Sequence, residues 1–159
     1  MGNPMEDTNP YRRPATASVA VAVADAGARL YRVSGILLGT FMGTPLATGW
    51  LMSRNYRALG DHARARQALV YGAIACALVL ALVYVLPENV PAMVFTIPQL
   101  FAASHIAKRF QGDRIAEYQA SDRTYSNWRA VGVGLLCCLA VLVVLVPIVI
   151  ALALAGVIE

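Results

Sequence analysis

A run of 27 residues, Val131 to Val157, carries no formal charge, and it constrains this chain more than any other feature. Roughly 20 helical residues cross a hydrocarbon core of about 30 Å, so the run suits a membrane better than the interior of a small soluble domain. Three further runs repeat the pattern: Val33 to Met52 (20 residues), Ala68 to Leu86 (19) and Val90 to Ala107 (18). The third contains Pro91, Pro98, Gln99 and His105, which leaves open whether it crosses or re-enters. The last exceeds one crossing, an excess that tilt or a kink at Pro147 absorbs.

Composition agrees. Hydrophobic residues make up 58% of the chain and charged residues 14%, against about 25% charged in soluble domains. That leaves too little polar surface for a soluble enzyme and too little charge for a disordered chain. The expected fold is all-α, an integral membrane four-helix bundle over residues 33–158, with spans at about 33–52, 68–86, 90–107 and 131–157. Residues 1–32 read as a polar, disordered tail and lead-in, rich in turn formers (Pro4, Pro10, Pro14) and without the charge order of a signal peptide.

The connections carry their own signals. Gly60 suits a left-handed helix cap, and Asp61 suits the N-cap of the next helix. Pro87-Glu88-Asn89 reads as a tight turn, with Pro91 in the first turn of the third helix. Between Ile106 and Trp128, aromatic and apolar residues alternate with charges, which predicts an interfacial helical loop broken at Gly112.

The net charge of +4 comes from Lys108 and the arginines, which cluster between apolar runs rather than forming a nucleic-acid stripe. With four crossings, the tail, the Glu88 turn and the C-terminus share one side. That side holds Arg12, Arg13, Arg29 and Arg32, and the opposite side holds the other nine cations. The excess favours arginine clusters inside and both termini outside, with an uncleaved polar tail left in the cytoplasm as the rival arrangement.

No Asp, Glu, Lys or Arg falls within an apolar run, so there is no candidate charge relay of the kind pumps and coupled transporters carry. His62 and His105 are isolated from other donors and from any nucleophile motif, and Cys76, Cys137 and Cys138 have no metal-ligand spacing. The expectation is no enzyme, no cofactor and no metal. The positive signal is packing chemistry. Gly35, Gly39, Gly43 and Ala47 recur at every fourth residue beside Thr40, Thr44 and Thr48, a spacing that admits close helix approach. Pro45 removes a backbone donor there, which makes Thr44-Pro45 a candidate binding notch. Similar ladders run through Ala73, Ala77 and Ala81 and through Ala130, Gly134 and Cys138. A basic interfacial tip, with Arg54, Asn55, Arg57, Arg64 and Arg66, suits anchoring to headgroups or capture of an acidic group.

The stretch from Gly43 to Gly60, with Pro45-Leu-Ala47 and Asn55-Tyr-Arg-Ala-Leu-Gly60, resembles a group of uncharacterised small bacterial multi-pass membrane proteins. Leu86-Pro-Glu-Asn-Val-Pro91, Phe110-Gln-Gly112 and Ser126-Asn-Trp-Arg129 extend the likeness. The group's pattern has a second glycine where this chain has Thr44. The resemblance implies a bacterial inner-membrane protein and adds no catalytic residue. The expected function is interaction: an accessory, scaffold or regulatory protein in the lipid bilayer that meets itself or a partner membrane protein. A toxin-immunity protein and a small channel or transporter are the alternatives.

Overall fold

A computed structural model of the chain describes residues 27–86 and 89–156. The expected disordered tail and the Pro87-Glu88 part of the expected turn lie outside these residues. The described chain runs β1 (Leu30–Tyr31), α1 (Val33–Ala58), α2 (His62–Val85), α3 (Met93–Ala120), β2 (Thr124–Tyr125) and α4 (Asn127–Leu154). Three of the helices, α1, α2 and α4, are long and apolar enough to cross a membrane. The third expected span does not reach that level, because α3 starts only at Met93 and meets Lys108 and Arg109 before a full span of apolar residues has passed.

Helix α1 is not one rod. Thr44 sits at φ 74° and ψ 174°, outside helical space, and Pro45 follows it. In a straight helix, residues 40 and 48 would stand about 12 Å apart, and residues 31 and 55 about 36 Å. Instead the Thr40 and Thr48 hydroxyl oxygens are 2.6 Å apart, and the Tyr31 N–H donates to Asn55 Oδ1 at 2.7 Å. The two arms, residues 33–43 and 45–58, therefore fold back on each other as an antiparallel hairpin with Thr44 at its bend. The run expected as a span at 33–52 keeps the length and apolarity of one, but it is bent back at Thr44. Proline at the first position of the second arm suits its fixed φ and missing donor.

The other helices pack on this hairpin and hardly on one another. Gly49 meets Gly72, and Thr44 lies beside Cys76, so α2 runs antiparallel to the second arm. It then continues from Cys76 to Val85, about 13 Å past the bend. Along α4, Gly35 faces Asn127 and Ala130, and Gly43 faces Gly134, so α4 runs beside the first arm. It extends to Leu154, about 25 Å beyond Cys137. Helix α3 comes back from the far end, and Gln111 reaches Met52 and Asn55.

This arrangement gives the molecule two unlike ends. The lead-in at Leu30, the turn at Gly60 and the connection around Asp122 lie together at one. The far end holds the α2–α3 connection and the last turns of α4. Every Lys and Arg other than Arg12 and Arg13, which lie in the tail, belongs to the first end. Arg29 and Arg32, assigned by the sequence to the side opposite the arginine clusters, thus join them. The hairpin makes the difference, because it returns the chain to the side from which it started.

Local signals account for the caps. Gly60 has φ 78°, and Asp61 accepts from the Arg64 N–H at 2.9 Å. Helix α3 starts at Met93 with Ala92 as N-cap, so Pro91 precedes the helix instead of sitting in its first turn. Gly112 does not break it. A glycine costs a helix only about 1 kcal/mol, and Gln111, Ile115 and Tyr118 are all buried on the face that packs inward. The expected interfacial loop is therefore mostly helix. Two-residue strands β1 and β2 pair in parallel, Leu30 with Thr124 and Tyr31 with Tyr125.

Candidate functional site

The bend is held from both sides. Thr40 Oγ1 donates to the Ile36 carbonyl at 2.7 Å, so the proton shared between the two hydroxyls belongs to Thr48, which donates to Thr40. One hydroxyl chain thereby ties the second arm to the backbone of the first. Gly43 and Pro45 are buried on either side of Thr44. A small cavity of about 160 Å³ adjoins the bend, with Thr44, Cys76, Thr96 and Gln99 among its walls.

The small residues serve internal packing. A methyl group at Gly43 would overlap the Gly134 backbone, and one at Gly39 would come within 2.6 Å of Leu51 Cδ1 and 3.0 Å of the Ala130 carbonyl. One at Gly72 would stand 2.7 Å from Gly49 Cα. Gly35, Gly39 and Gly43 thus receive α4, while Ala47 belongs to the other arm and is buried there. The expected ladder is not one continuous face. Ala73, Ala77 and Ala81 are exposed, and Ala65, Gly72 and Cys76 make the buried face of α2 instead. On α4 the third position is Cys137, not Cys138.

The expected basic tip divides in two. Arg54, Arg57, Arg64 and Arg66 are exposed, whereas Asn55 is fully buried. Asn55 acts as a third strand beside β1: it accepts from the Tyr31 N–H and returns Nδ2–H to the Tyr31 carbonyl at 3.1 Å. Its Nδ2 also donates to Gln111 Oε1 at 2.9 Å, and Gln111 Nε2 donates to the Met52 carbonyl at 3.1 Å. Two buried amides therefore lock the lead-in, the hairpin and α3 together. The ring of Tyr31 packs on Tyr125, with centroids 4.7 Å apart, and the Arg129 guanidinium lies 4.6 Å from the Tyr125 centroid. Sequence reasoning missed Gln111 and Tyr31. A lone glutamine in an amphipathic segment gives no hint of its partner 56 residues away.

Because α2 and α3 pack on the hairpin without closing on each other, a lateral groove of about 970 Å³ stays open between them. Its floor is the second arm, from Pro45 through Gly49 and Met52 to Tyr56. The walls are mostly apolar, with Ala75, Val79 and Leu82 on α2 and Phe95, Ala102 and Ile106 on α3. Arg64 and Arg109 line its cationic end, one from each wall, and no Asp or Glu is among the lining residues. Pro45 borders both the groove and the small cavity, so the notch expected at Thr44-Pro45 forms the groove's inner end. Its volume falls at the upper end of small-molecule sites.

Among the described residues, no three His, Cys, Asp or Glu side chains gather as a metal site would require. His62 and His105 are exposed on different helices. Comparison with known protein families, curated proteins and solved structures finds no match.

Proposed function

We propose that this chain is a small multi-pass protein of the bacterial inner membrane that works by binding. In this reading it is an accessory or regulatory subunit that holds an apolar or amphiphilic partner in the groove between α2 and α3. The groove is the observation that carries this. The glycines of the hairpin are consumed by its own α4 and α2, and the groove is a concave surface left open to a partner. Apolar side chains such as Tyr71, Phe101, Leu136 and Val143 are exposed around the molecule, as a lipid-facing surface demands.

A photo-crosslinking amino acid at Ala102, inside the groove, should capture an adduct from native membranes that the same probe at Leu136, on α4, does not. Identical adducts from both positions would sink the proposal.

The broken hairpin favours a second reading, a small channel or transporter, because interrupted helices often line permeation or substrate sites. Against it, the Thr40 and Thr48 hydroxyls are spent on each other and on Ile36. Solute flux through proteoliposomes of the purified protein would support the channel, and tight vesicles would remove it.

A further inference from the structure

Resting on that reading, we infer that the occupant of the groove is an anionic membrane phospholipid, its headgroup held between Arg64 and Arg109 and an acyl chain laid along the apolar walls toward Leu82. The argument is charge complementarity along a surface with two unlike ends. Walls from α2 and α3 supply one guanidinium each at the same end of the groove, and no carboxylate lines it anywhere. Arg109 has no ion-pair partner among the described residues. Arg64 lies 3.4 Å from Asp61, but its side chain is 68% exposed, so this pairing is weak and leaves guanidinium donors for a phosphate.

From Arg64 to Leu82 the groove wall runs for about 27 Å along α2, and no formal charge interrupts it beyond Arg64 and Arg109. A wholly apolar transmembrane helix would fill the apolar length but would leave the two guanidinium groups without an anion. A lipid satisfies both ends with one molecule. The headgroup would lie at the end that gathers the Lys and Arg residues, where anionic lipids of the cytoplasmic leaflet meet positive charge.

The test uses the purified full chain in phosphatidylcholine vesicles doped with photoactivatable phosphatidylglycerol, or with photoactivatable phosphatidylcholine as the neutral control. Adducts are mapped by mass spectrometry. The anionic probe should label groove positions such as Ala75 and Ala102 in excess over Leu136 and Val143. Arg64→Gln with Arg109→Gln should reduce that labelling about thirtyfold, on roughly 1 kcal/mol per cation near a surface, and lysine at both positions should restore much of it. Both arginines are exposed, so melting of the variant should match the parent. Equal labelling by both probes, or labelling indifferent to the double substitution, overturns the inference. Capture of a polypeptide by the probe at Ala102 in native membranes also overturns it, while leaving the binding reading standing. No groove-specific adduct of any kind removes both.

Discussion

Thr48 donates its hydroxyl proton to Thr40 across 2.6 Å, although eight positions of sequence and the bend at Thr44 separate them. That pair closes the hairpin near its bend, with Thr40 itself buried. Such interhelical hydrogen bonds in membrane proteins contribute about 0.6 kcal/mol on average and up to about 1.7. Thr40→Val, Thr48→Val and the double variant should therefore form a cycle with a coupling in that range, measured by unfolding in mixed micelles. Strict additivity would mean that the two hydroxyls do not meet.

Thr44 occupies a region of backbone space, φ 74° with ψ 174°, that belongs almost wholly to glycine and costs other residues about 1–3 kcal/mol. Thr44→Gly should accordingly raise stability by about 1 kcal/mol, since the 3.6 Å contact to Cys76 Sγ that it forfeits is weak. Thr44→Ala keeps the strain, loses the hydroxyl and should be neutral or destabilising. The same unfolding assay decides, and a destabilising glycine would contradict the bend.

The bend also shows where the sequence was legible. Length and apolarity located the helices α2 and α4, and Gly60-Asp61 located the turn between α1 and α2, because those signals are local. The four-residue spacing of Gly35, Gly39 and Gly43 likewise announced a close contact. Ala47 continues the spacing but lies past the break, since periodicity presumes a helix that does not bend. Thr44 read as a mild departure from a glycine pattern, yet its position needs that glycine's conformation. The Asn55–Gln111 pair and the groove depend on elements far apart in sequence, so no local pattern could report them.

Asn55 and Gln111 hold three segments through buried amides. Asn55→Leu leaves the Tyr31 N–H and the Gln111 amide without their partner, and each buried unsatisfied group costs about 1–3 kcal/mol. A loss of several kcal/mol is expected, with release of the Leu30 lead-in seen as faster amide exchange at Tyr31. Gln111→Leu should cost less, because the bonds between Asn55 and Tyr31 survive it. Equal losses from the two would show that Tyr31 is not the main client of Asn55.

Gly43 and Gly132 offer a matched pair of tests for the small-residue contact. A Cβ at Gly43 overlaps the backbone of Gly134, while one at Gly132 meets nothing within 4 Å. Backbone cannot retreat as a flexible side chain can, so Gly43→Ala should part the first arm from α4 and cost about 1–3 kcal/mol or more as overpacking. Gly132→Ala should stabilise by up to about 1 kcal/mol through helix propensity alone. Similar melting of the two variants would remove the contact between the first arm and α4.

The hairpin has a consequence for topology that single-cysteine labelling can read. If α1 enters and leaves on one side, then α2, α3 and α4 run from one end of the molecule to the other in turn, and Arg29 and the last turn of α4 lie at opposite ends. In a background with alanine at Cys76, Cys137 and Cys138, the variants Arg29→Cys, His62→Cys and Ser121→Cys should react with an impermeant maleimide from one face. Asn89→Cys and Gly156→Cys should react from the other. Lys and Arg retained near crossing helices mark the cytoplasmic side, and those in the described residues sit at the first face, so intact cells should label only Asn89→Cys and Gly156→Cys. Four full crossings would instead place Arg29 with Asn89 and Gly156, opposite His62. Co-labelling of Arg29→Cys with Asn89→Cys would therefore mean that α1 spans the membrane and that the bend at Thr44 does not turn the chain back.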